Sequence, residues 1–217
     1  MSARNSRPLP AGHKGRLWIS ALLLLVLLWQ WGNAFGIELK AQLAQMLIER
    51  AWQQKLDAPG LKAAPWPWAD TQPVGRLQWL DERGRVQKDL YVLAGAHGEA
   101  LAFGPGLMAD AVGTDQRARV IGGHRDTHFR FLQKLSSGDR LRWQGADGHW
   151  RTYVISQRSI ADVRTEELWI EPAADALWLV TCYPFNELRA GGPLRYVVRA
   201  DSLEAVTQQY ADAGVRL

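Results

Sequence analysis

The sequence contains a single cysteine, Cys182, and its setting makes it the first candidate for chemistry. It follows the apolar run LWLVT and precedes Tyr183-Pro184, so we expect it where a strand ends and a loop begins. Such positions carry function disproportionately. A lone cysteine is also often a small buried core residue. On position alone, both interpretations stand: a reactive nucleophile and a core residue.

A cysteine nucleophile acts as a thiolate and therefore needs a base or a cation beside it. Among the five histidines, His124 closes the predicted strand RVIGG, whose two glycines allow backbone or substrate to come close. Arg195, in the segment GGPLRYVV, offers a planar fork of donors that can hold a peptide carbonyl or a developing oxyanion. Taken alone, Arg195 is equally well interpreted as a strand residue that points into water.

The stretch HRDTH also allows a second kind of site, a metal centre formed by His124, Asp126 and His128. Two histidines four residues apart share one face of a helix, as in zinc proteases. Here no Glu follows the first His, and the glycines before it disfavour a helix that begins earlier. We therefore expect no metal and no cofactor, with His128 a loop residue packed near the site.

An apolar, uncharged segment at residues 17–37 precedes all of these residues. It is long enough to cross a bilayer, which takes about 20 residues. Residues 1–16 form a basic tail without acidic residues, which predicts a cytoplasmic amino terminus and an exported remainder. A cleaved signal peptide is the competing interpretation, because Gly32-Asn33-Ala34 loosely resembles a cleavage site. The length of the apolar run favours an uncleaved anchor over a signal peptide.

Residues 38–71 are expected to connect this anchor to an exported domain. Apolar residues at helical spacing after Glu38 predict that the helix continues beyond the membrane as an amphipathic stalk. Four prolines between residues 57 and 75 then predict a semi-rigid linker. The exported domain is expected to span residues 72–217.

That domain is predicted to be mostly β. The turn residues DERG and GADGH each lie between two apolar runs, which predicts two hairpins. We expect strands at residues 75–80, 85–95, 117–123, 141–144, 150–160, 176–181 and 193–200. A short helical stretch is expected at residues 129–135. Short, closely spaced strands with few helices favour a barrel or a sandwich.

Composition excludes several classes of protein. The chain carries 26 basic and 22 acidic residues, but four of the basic residues lie in the amino-terminal tail, so the remainder is formally neutral. A basic groove for nucleic acid is therefore not expected. A single cysteine excludes an internal disulfide framework and a cysteine-rich zinc site.

The candidate residues together resemble a known family. The stretch 120–139 (VIGGHRDTHFRFLQKLSSGD), the VTC at residues 180–182 and the arginine of PLRYVV resemble the His, Cys and Arg signatures of sortases, membrane-anchored cysteine transpeptidases. The stretch 65–77 (PWPWADTQPVGRL), together with HRDTHF, is most similar to their Gram-negative class, class GN. Two positions depart from the family pattern: Trp178 stands where its Thr-Leu-x-Thr-Cys motif has the first Thr, and Leu107 stands where many relatives have His.

This resemblance implies an eight-stranded sortase-type β-barrel with short helices, preceded by a transmembrane helix, and three catalytic residues at neighbouring strand ends. Cys182 would be the nucleophile, His124 the general acid and base, and Arg195 the group that aligns the peptide and stabilises the oxyanion. The implied reaction cleaves a carboxyl-terminal Leu-Pro-x-Thr-Gly-like sorting signal between Thr and Gly through a thioacyl enzyme.

The implied partners are a secreted protein that bears the sorting signal and an amine acceptor, such as one in the cell envelope. The implied location is the inner membrane, crossed once by residues 17–37, with the amino terminus in the cytoplasm and the catalytic domain in the periplasm. The acidic residues near the expected specificity loop are more simply a solvated face than a calcium site: Asp162, Glu166, Glu167 and Glu171.

Two other functions remain as alternatives. A cysteine L,D-transpeptidase acting on peptidoglycan shares the His-before-Cys order, although its Ser-x-Gly-Cys context is absent here. A non-catalytic, membrane-tethered β binding module would have Cys182 buried and His124 as a packed loop residue.

Overall fold

The structure is a computed structural model that describes residues 12–58, 60–108, 118–167, 170, 174–187 and 191–212. It comprises two compact units, one ending at Leu43 and the other beginning at Ala44. Helix α1 runs Gly12–Asp57. Among the described residues, α1 is the one helix long and apolar enough to cross a membrane, and none of its most apolar stretch is buried within the protein. The apolar helix expected near the amino terminus is therefore present.

The second unit contains a closed barrel of eight strands, and this confirms the predicted architecture. The strands are β1 Pro73–Leu80, β2 Val86–Ala94, β3 Gly106–Leu107, β4 Arg119–Gly122, β5 Arg140–Gln144, β6 Trp150–Asp162, β7 Ala176–Cys182 and β8 Leu194–Ser202. Around the barrel they follow the order β1-β2-β3-β4-β7-β8-β6-β5. Each strand therefore has a hydrogen-bonded neighbour on both sides, which removes exposed sheet edges.

Both predicted hairpins form. β1 pairs with β2 and β5 pairs with β6, in each case antiparallel. In the first turn, the carboxylate of Asp81 accepts hydrogen bonds from the backbone amides of Arg83 and Arg85. Gly84 has a φ of 77°, a left-handed conformation that glycine adopts without steric cost. The residue types of the turn thus account for the reversal of the chain.

The barrel core lies on the inward face of these strands. Alternate residues of β7, Leu177 and Leu179, are fully buried in one cluster with residues from the other long strands. The intervening Trp178 belongs to a second, smaller cluster with residues of β4, β6 and β8, against which Ile170 and Ala174 pack. Because successive side chains of a strand point to opposite faces, this second cluster lies on the outside of the barrel.

In the described part of the chain, two short α-helices and a 3₁₀ helix accompany the barrel. Helix α2 (Gly98–Phe103) and helix α3 (Leu203–Asp212) were not predicted, and neither was the two-residue strand β3. The helical stretch expected at residues 129–135 is a 3₁₀ helix, Arg130–Lys134. Of the strand expected at residues 117–123, Arg119–Gly122 forms β4, and residue 117 lies outside the described residues.

The carboxyl-terminal part of α1 belongs to the same unit as the barrel. Ile48 packs with Leu93 of β2, and Trp52 is completely buried. The indole Nε1 of Trp52 donates a hydrogen bond of 3.2 Å to the side-chain oxygen of Gln144 in β5. The compact unit therefore begins before residue 72, where the sequence suggested a domain boundary.

Candidate functional site

Cys182 is the last residue of β7 and lies on the outward face of the barrel. Its even-numbered neighbours Trp178 and Val180 belong to the outer apolar cluster, whereas Leu179 faces the core. The thiol is free, and the residue is partly exposed. A core cysteine sealed from solvent, which the binding-module alternative requires, is therefore not what the structure contains.

Arg195 lies directly opposite Cys182 in the antiparallel pair of β7 and β8. Side chains at directly opposed positions stand on the same face of a sheet, with Cβ atoms about 4.5–5.5 Å apart. The Nη1 atom of Arg195 donates hydrogen bonds to the carbonyl oxygens of Gly192 at 2.6 Å and Leu194 at 3.0 Å. These bonds hold the guanidinium against the backbone that leads into β8, beside the thiol.

His124 follows β4, the neighbour of β7 on its other side. β4 runs parallel to β7 with Gly122 opposite Val180, and the next amide, that of Gly123, donates to the Val180 carbonyl at 3.2 Å. The Thr181 hydroxyl then donates to the Gly123 carbonyl at 2.7 Å. These bonds bring the backbone before His124 alongside the carboxyl end of β7.

The segment after β4 is fixed on its far side by Phe129. The Phe129 amide donates to the His124 carbonyl at 3.0 Å, and the ring of Phe129 is completely buried in the core. A Cβ atom on Gly123 would lie 2.8 Å from that ring, closer than real Cβ atoms come to a neighbour. The two glycines predicted that another group comes close to the backbone here. In the structure that group is the ring of Phe129, which packs against Gly123. The imidazole of His124 itself is exposed.

All three predicted site residues thus come from neighbouring strands, in the order β4, β7, β8. On the same face, a buried apolar cluster lies between β4 and β6, formed by Ala118, Val120, Ala161, Ala176, Trp178 and Val197. Ile170 and Ala174, from the connection between β6 and β7, pack against this cluster. Ala161 of β6 lies opposite Arg195, so the cluster extends to the strand position next to the site. The guanidinium of Arg199 lies 5.3 Å over the ring of Trp178, the residue that departs from the family motif.

An open cavity of about 570 Å³ lies beside Arg195 on the loop side. Its lining includes Arg164, which follows β6, as well as Tyr183, Glu187, Gly192 and Leu194 from the β7–β8 connection. The guanidinium of Arg164 pairs with Asp162 at 2.6 Å. That bond is the main cause that lowers the pKa of Asp162 to about 2. Asp162 is therefore ionised at neutral pH and engaged with Arg164.

His128 lies in the same loop as His124. Burial is the main cause that lowers its pKa below the usual value, and the charges of Lys88 and His124 act in the same direction. A hydrogen bond with the backbone of Ala102 opposes these effects. Within the described part of the chain, no group of three or more His, Cys, Asp or Glu side chains is arranged to hold a metal ion. The side chain of His128 is partly buried.

One residue of the site was not predicted. Arg125, directly after His124, is buried, and its guanidinium donates to carbonyl oxygens in the loop that follows Cys182. Those partners are 59 and 62 residues away along the chain, a separation that no local sequence pattern reveals.

Comparisons with known proteins bear on the family and on the fold. The family model described as "Sortase domain" matches residues 84–203, more than half of the chain. Sortase D from Bacillus subtilis (strain 168) is 26% identical over 125 residues, which cover 57% of this chain and 63% of that relative. The match thus spans less than two thirds of the relative's length.

Two solved structures share the fold. The lid mutant of sortase A from Corynebacterium diphtheriae is 19% identical, with a TM-score of 0.51 over 74% of this chain and 93% of that chain. Sortase C from Streptococcus pneumoniae is 18% identical, with a TM-score of 0.50 over 73% and 89% of the two chains. At this level of identity the likeness concerns the fold alone. The family match, which contains β4, β7 and β8 with the three residues at their ends, is the stronger finding, and by it the chain belongs to the sortase family.

Proposed function

We propose that this chain is a cysteine transpeptidase of the sortase type, with Cys182 as nucleophile, His124 as general acid and base, and Arg195 as the oxyanion and alignment group. One observation carries the proposal: the candidate nucleophile and the candidate arginine are directly opposed across β7 and β8, and the candidate histidine follows β4, the other neighbour of β7. Sortases as a family are cysteine transpeptidases that act on Leu-Pro-x-Thr-Gly-like signals.

In the first half of the reaction, the thiolate of Cys182 attacks the carbonyl carbon of Thr in the sorting signal. The carbonyl electrons move onto oxygen, and the Arg195 guanidinium stabilises the resulting oxyanion through its N–H donors. When the oxyanion collapses, the bond from Thr to Gly breaks, and the imidazolium of His124 gives its proton to the leaving amine. The product is a thioester between Cys182 and the protein that ends in Thr.

In the second half, an amine acceptor enters and His124 removes a proton from its nitrogen. The nitrogen attacks the thioester carbonyl, and the thiolate of Cys182 leaves as the new amide bond forms. The open cavity beside Arg195, which is lined largely by residues of the β7–β8 connection, supports a route by which this acceptor reaches the thioester.

The finer identity is part of the same proposal. The stretches PWPWADTQPVGRL and HRDTHF support membership of the Gram-negative class. The apolar part of α1, preceded by a basic tail, supports a single-pass anchor in the inner membrane with the catalytic domain in the periplasm. Because Cys182 is the single cysteine of the chain, labelling of intact spheroplasts with a membrane-impermeant thiol reagent tests this topology. Labelling is expected before lysis; labelling only after lysis would place the domain on the other side.

The activity test uses the full chain in detergent with a small library of Leu-Pro-x-Thr-Gly-like peptides and an amine such as triglycine. We expect an amide product joined through Thr for a subset of the peptides. Arg195→Lys should lose most of this activity because a point charge does not reproduce the planar fork. Arg151→Lys, at a partly exposed arginine near the start of β6, is the matched control and should leave turnover unchanged. Wild-type turnover by Arg195→Lys would contradict the proposed role of Arg195 in aligning the peptide and stabilising the oxyanion.

A further inference from the structure

Arg125 is an unusual residue for its surroundings. Its side chain is only 5% exposed, although arginine is among the residues that proteins almost never bury fully without a partner. The nearest described carboxylate is that of its neighbour Asp126, 3.6 Å from Nε, and that side chain is 69% exposed. A carboxylate so open to water is a weak counter-charge.

Two backbone carbonyl oxygens accept hydrogen bonds from the guanidinium. Nη1 donates to the Pro184 carbonyl at 3.0 Å, and Nη2 donates to the Glu187 carbonyl. These two residues close one turn, since the Glu187 amide donates to the Pro184 carbonyl at 3.3 Å. The planar fork of arginine fits two acceptors of one turn, which a lysine ammonium on its flexible stem does not reproduce.

The position of these bonds along the chain links the two candidate catalytic loops. Arg125 directly follows His124, and Pro184 lies two residues beyond Cys182. On the strand side of the same two residues, the hydroxyl of Thr181 bonds the carbonyl of Gly123. Hydrogen bonds therefore join the two segments on both sides of His124 and Cys182. The Thr181–Gly123 bond precedes these two residues, and the bonds of Arg125 follow them.

Stability alone does not account for a buried guanidinium in this place. Removing a charged group from water is costly, and well-packed apolar residues often serve stability as well or better. What the fork provides is a link between the two loops beyond the backbone hydrogen bond from the Gly123 amide to the Val180 carbonyl. Misplacement of a reacting group by about 1 Å can cost about a hundredfold in rate.

We propose that Arg125 is a positioning residue: its buried guanidinium ties the loop after His124 to the loop after Cys182 and so fixes the imidazole relative to the thiol. The inference rests on the transpeptidase function proposed above. Arg125 takes no part in bond making; it acts through the geometry of the two residues that do.

The test compares Arg125→Lys with wild type and with Arg130→Lys, an exposed arginine in the neighbouring 3₁₀ helix, in the full chain. Rates of peptide transfer are measured across pH, together with urea unfolding. We expect kcat of Arg125→Lys to fall about 10- to 100-fold with KM within about twofold, because positioning affects the transition state more than binding. The pH profile of kcat/KM should also shift, since proton transfer between the two groups is disturbed. Arg130→Lys should match wild type in each measurement.

The outcomes separate the two proposals. Absence of transfer by the wild-type chain would contradict the proposed function itself. An active wild type with an unchanged kcat and pH profile in folded Arg125→Lys would overturn the positioning role alone. If Arg125→Lys unfolds at the assay temperature, Arg125→Gln, whose amide still donates to a carbonyl without a buried charge, takes its place. Unfolding of both variants would also overturn the proposal, because Arg125 would then be required for the fold.

Discussion

The two faces of β7 differ in what they contribute to the protein. Its inward residues Leu177 and Leu179 are fully buried in the barrel core. Its outward residues Ala176 and Trp178 belong to the smaller apolar cluster outside the barrel, and the strand ends at the partly exposed Cys182. A strand places successive side chains on opposite faces, so one seven-residue element serves stability on one side and candidate chemistry on the other. Substitutions along β7 should therefore separate activity from stability.

The largest effect is expected for Cys182→Ala. Loss of the nucleophile should reduce peptide transfer at least about a thousandfold, as removal of a nucleophile does in other acyl-transfer enzymes. The free energy of unfolding should change little, because the thiol is partly exposed and lies outside the core cluster. Transfer assays and urea unfolding on the same preparation check both statements. Substantial transfer by this variant would show that Cys182 is not the nucleophile.

The next largest effect is expected for Leu179→Ala, which should lower stability and leave activity nearly unchanged. Truncating a fully buried leucine should lower the free energy of unfolding by about 2–5 kcal/mol, from the lost transfer of apolar surface plus the cavity left behind. Transfer activity per folded molecule should stay close to that of wild type. Val180→Ala, on the outward and partly exposed side of the same strand, is the matched control and should cost less. An equal loss of stability in the two variants would contradict the division between the faces.

Thr181→Val tests the one inward position of β7 that serves the site. The substitution keeps the shape of the side chain but removes the hydroxyl that donates to the Gly123 carbonyl. We expect a loss of about 1 kcal/mol in stability, typical of one hydrogen bond. Turnover should fall as well, because His124 follows Gly123. Thr181→Ser retains the hydroxyl and should keep most of the activity; similar turnover in the Val and Ser variants would separate this bond from the function.

The smallest effect is expected for His128→Gln, in the pH dependence of the free energy of unfolding. Burial is the main cause that lowers the pKa of His128 in the folded chain below the unfolded value of about 6.5. The unfolded chain therefore binds the proton first as the pH falls, so the contribution of His128 to stability is full above pH 6.5 and declines below it. Urea unfolding at pH 7.5 and 5.5 should show a larger loss for wild type than for His128→Gln. Equal losses would contradict this assignment.

The sequence predicted the parts of the molecule that depend on local patterns. Turn residues such as Asp81 and Gly84 fix the first hairpin within a few positions. The apolar run of β7 predicts a strand, but its lack of alternation does not show which residues face inward. The two-residue strand β3 carries too few residues to show alternation, and it is defined by its partners β2 and β4. Helix α2 contains only six residues, too few for a clear helical period.

The candidate site shows the same limit. Cys182 and His124 could be selected because a strand end and a pair of glycines are visible along the chain. Arg125 could not, because its partners, the carbonyls of Pro184 and Glu187, are backbone atoms brought near only by the parallel pairing of β4 with β7. Any residue type can supply a backbone carbonyl, so a sequence motif cannot identify these acceptors.

The central claim is that Cys182 forms a thioester with the Thr carbonyl of a sorting signal. Intact-mass measurement after rapid acid quench of the full chain with a Leu-Pro-x-Thr-Gly-like peptide tests it directly. The account predicts an adduct equal to the peptide up to Thr, located on Cys182, released by hydroxylamine and absent from Cys182→Ala. An adduct on another residue, or cleavage of the peptide by Cys182→Ala without an adduct, would contradict it.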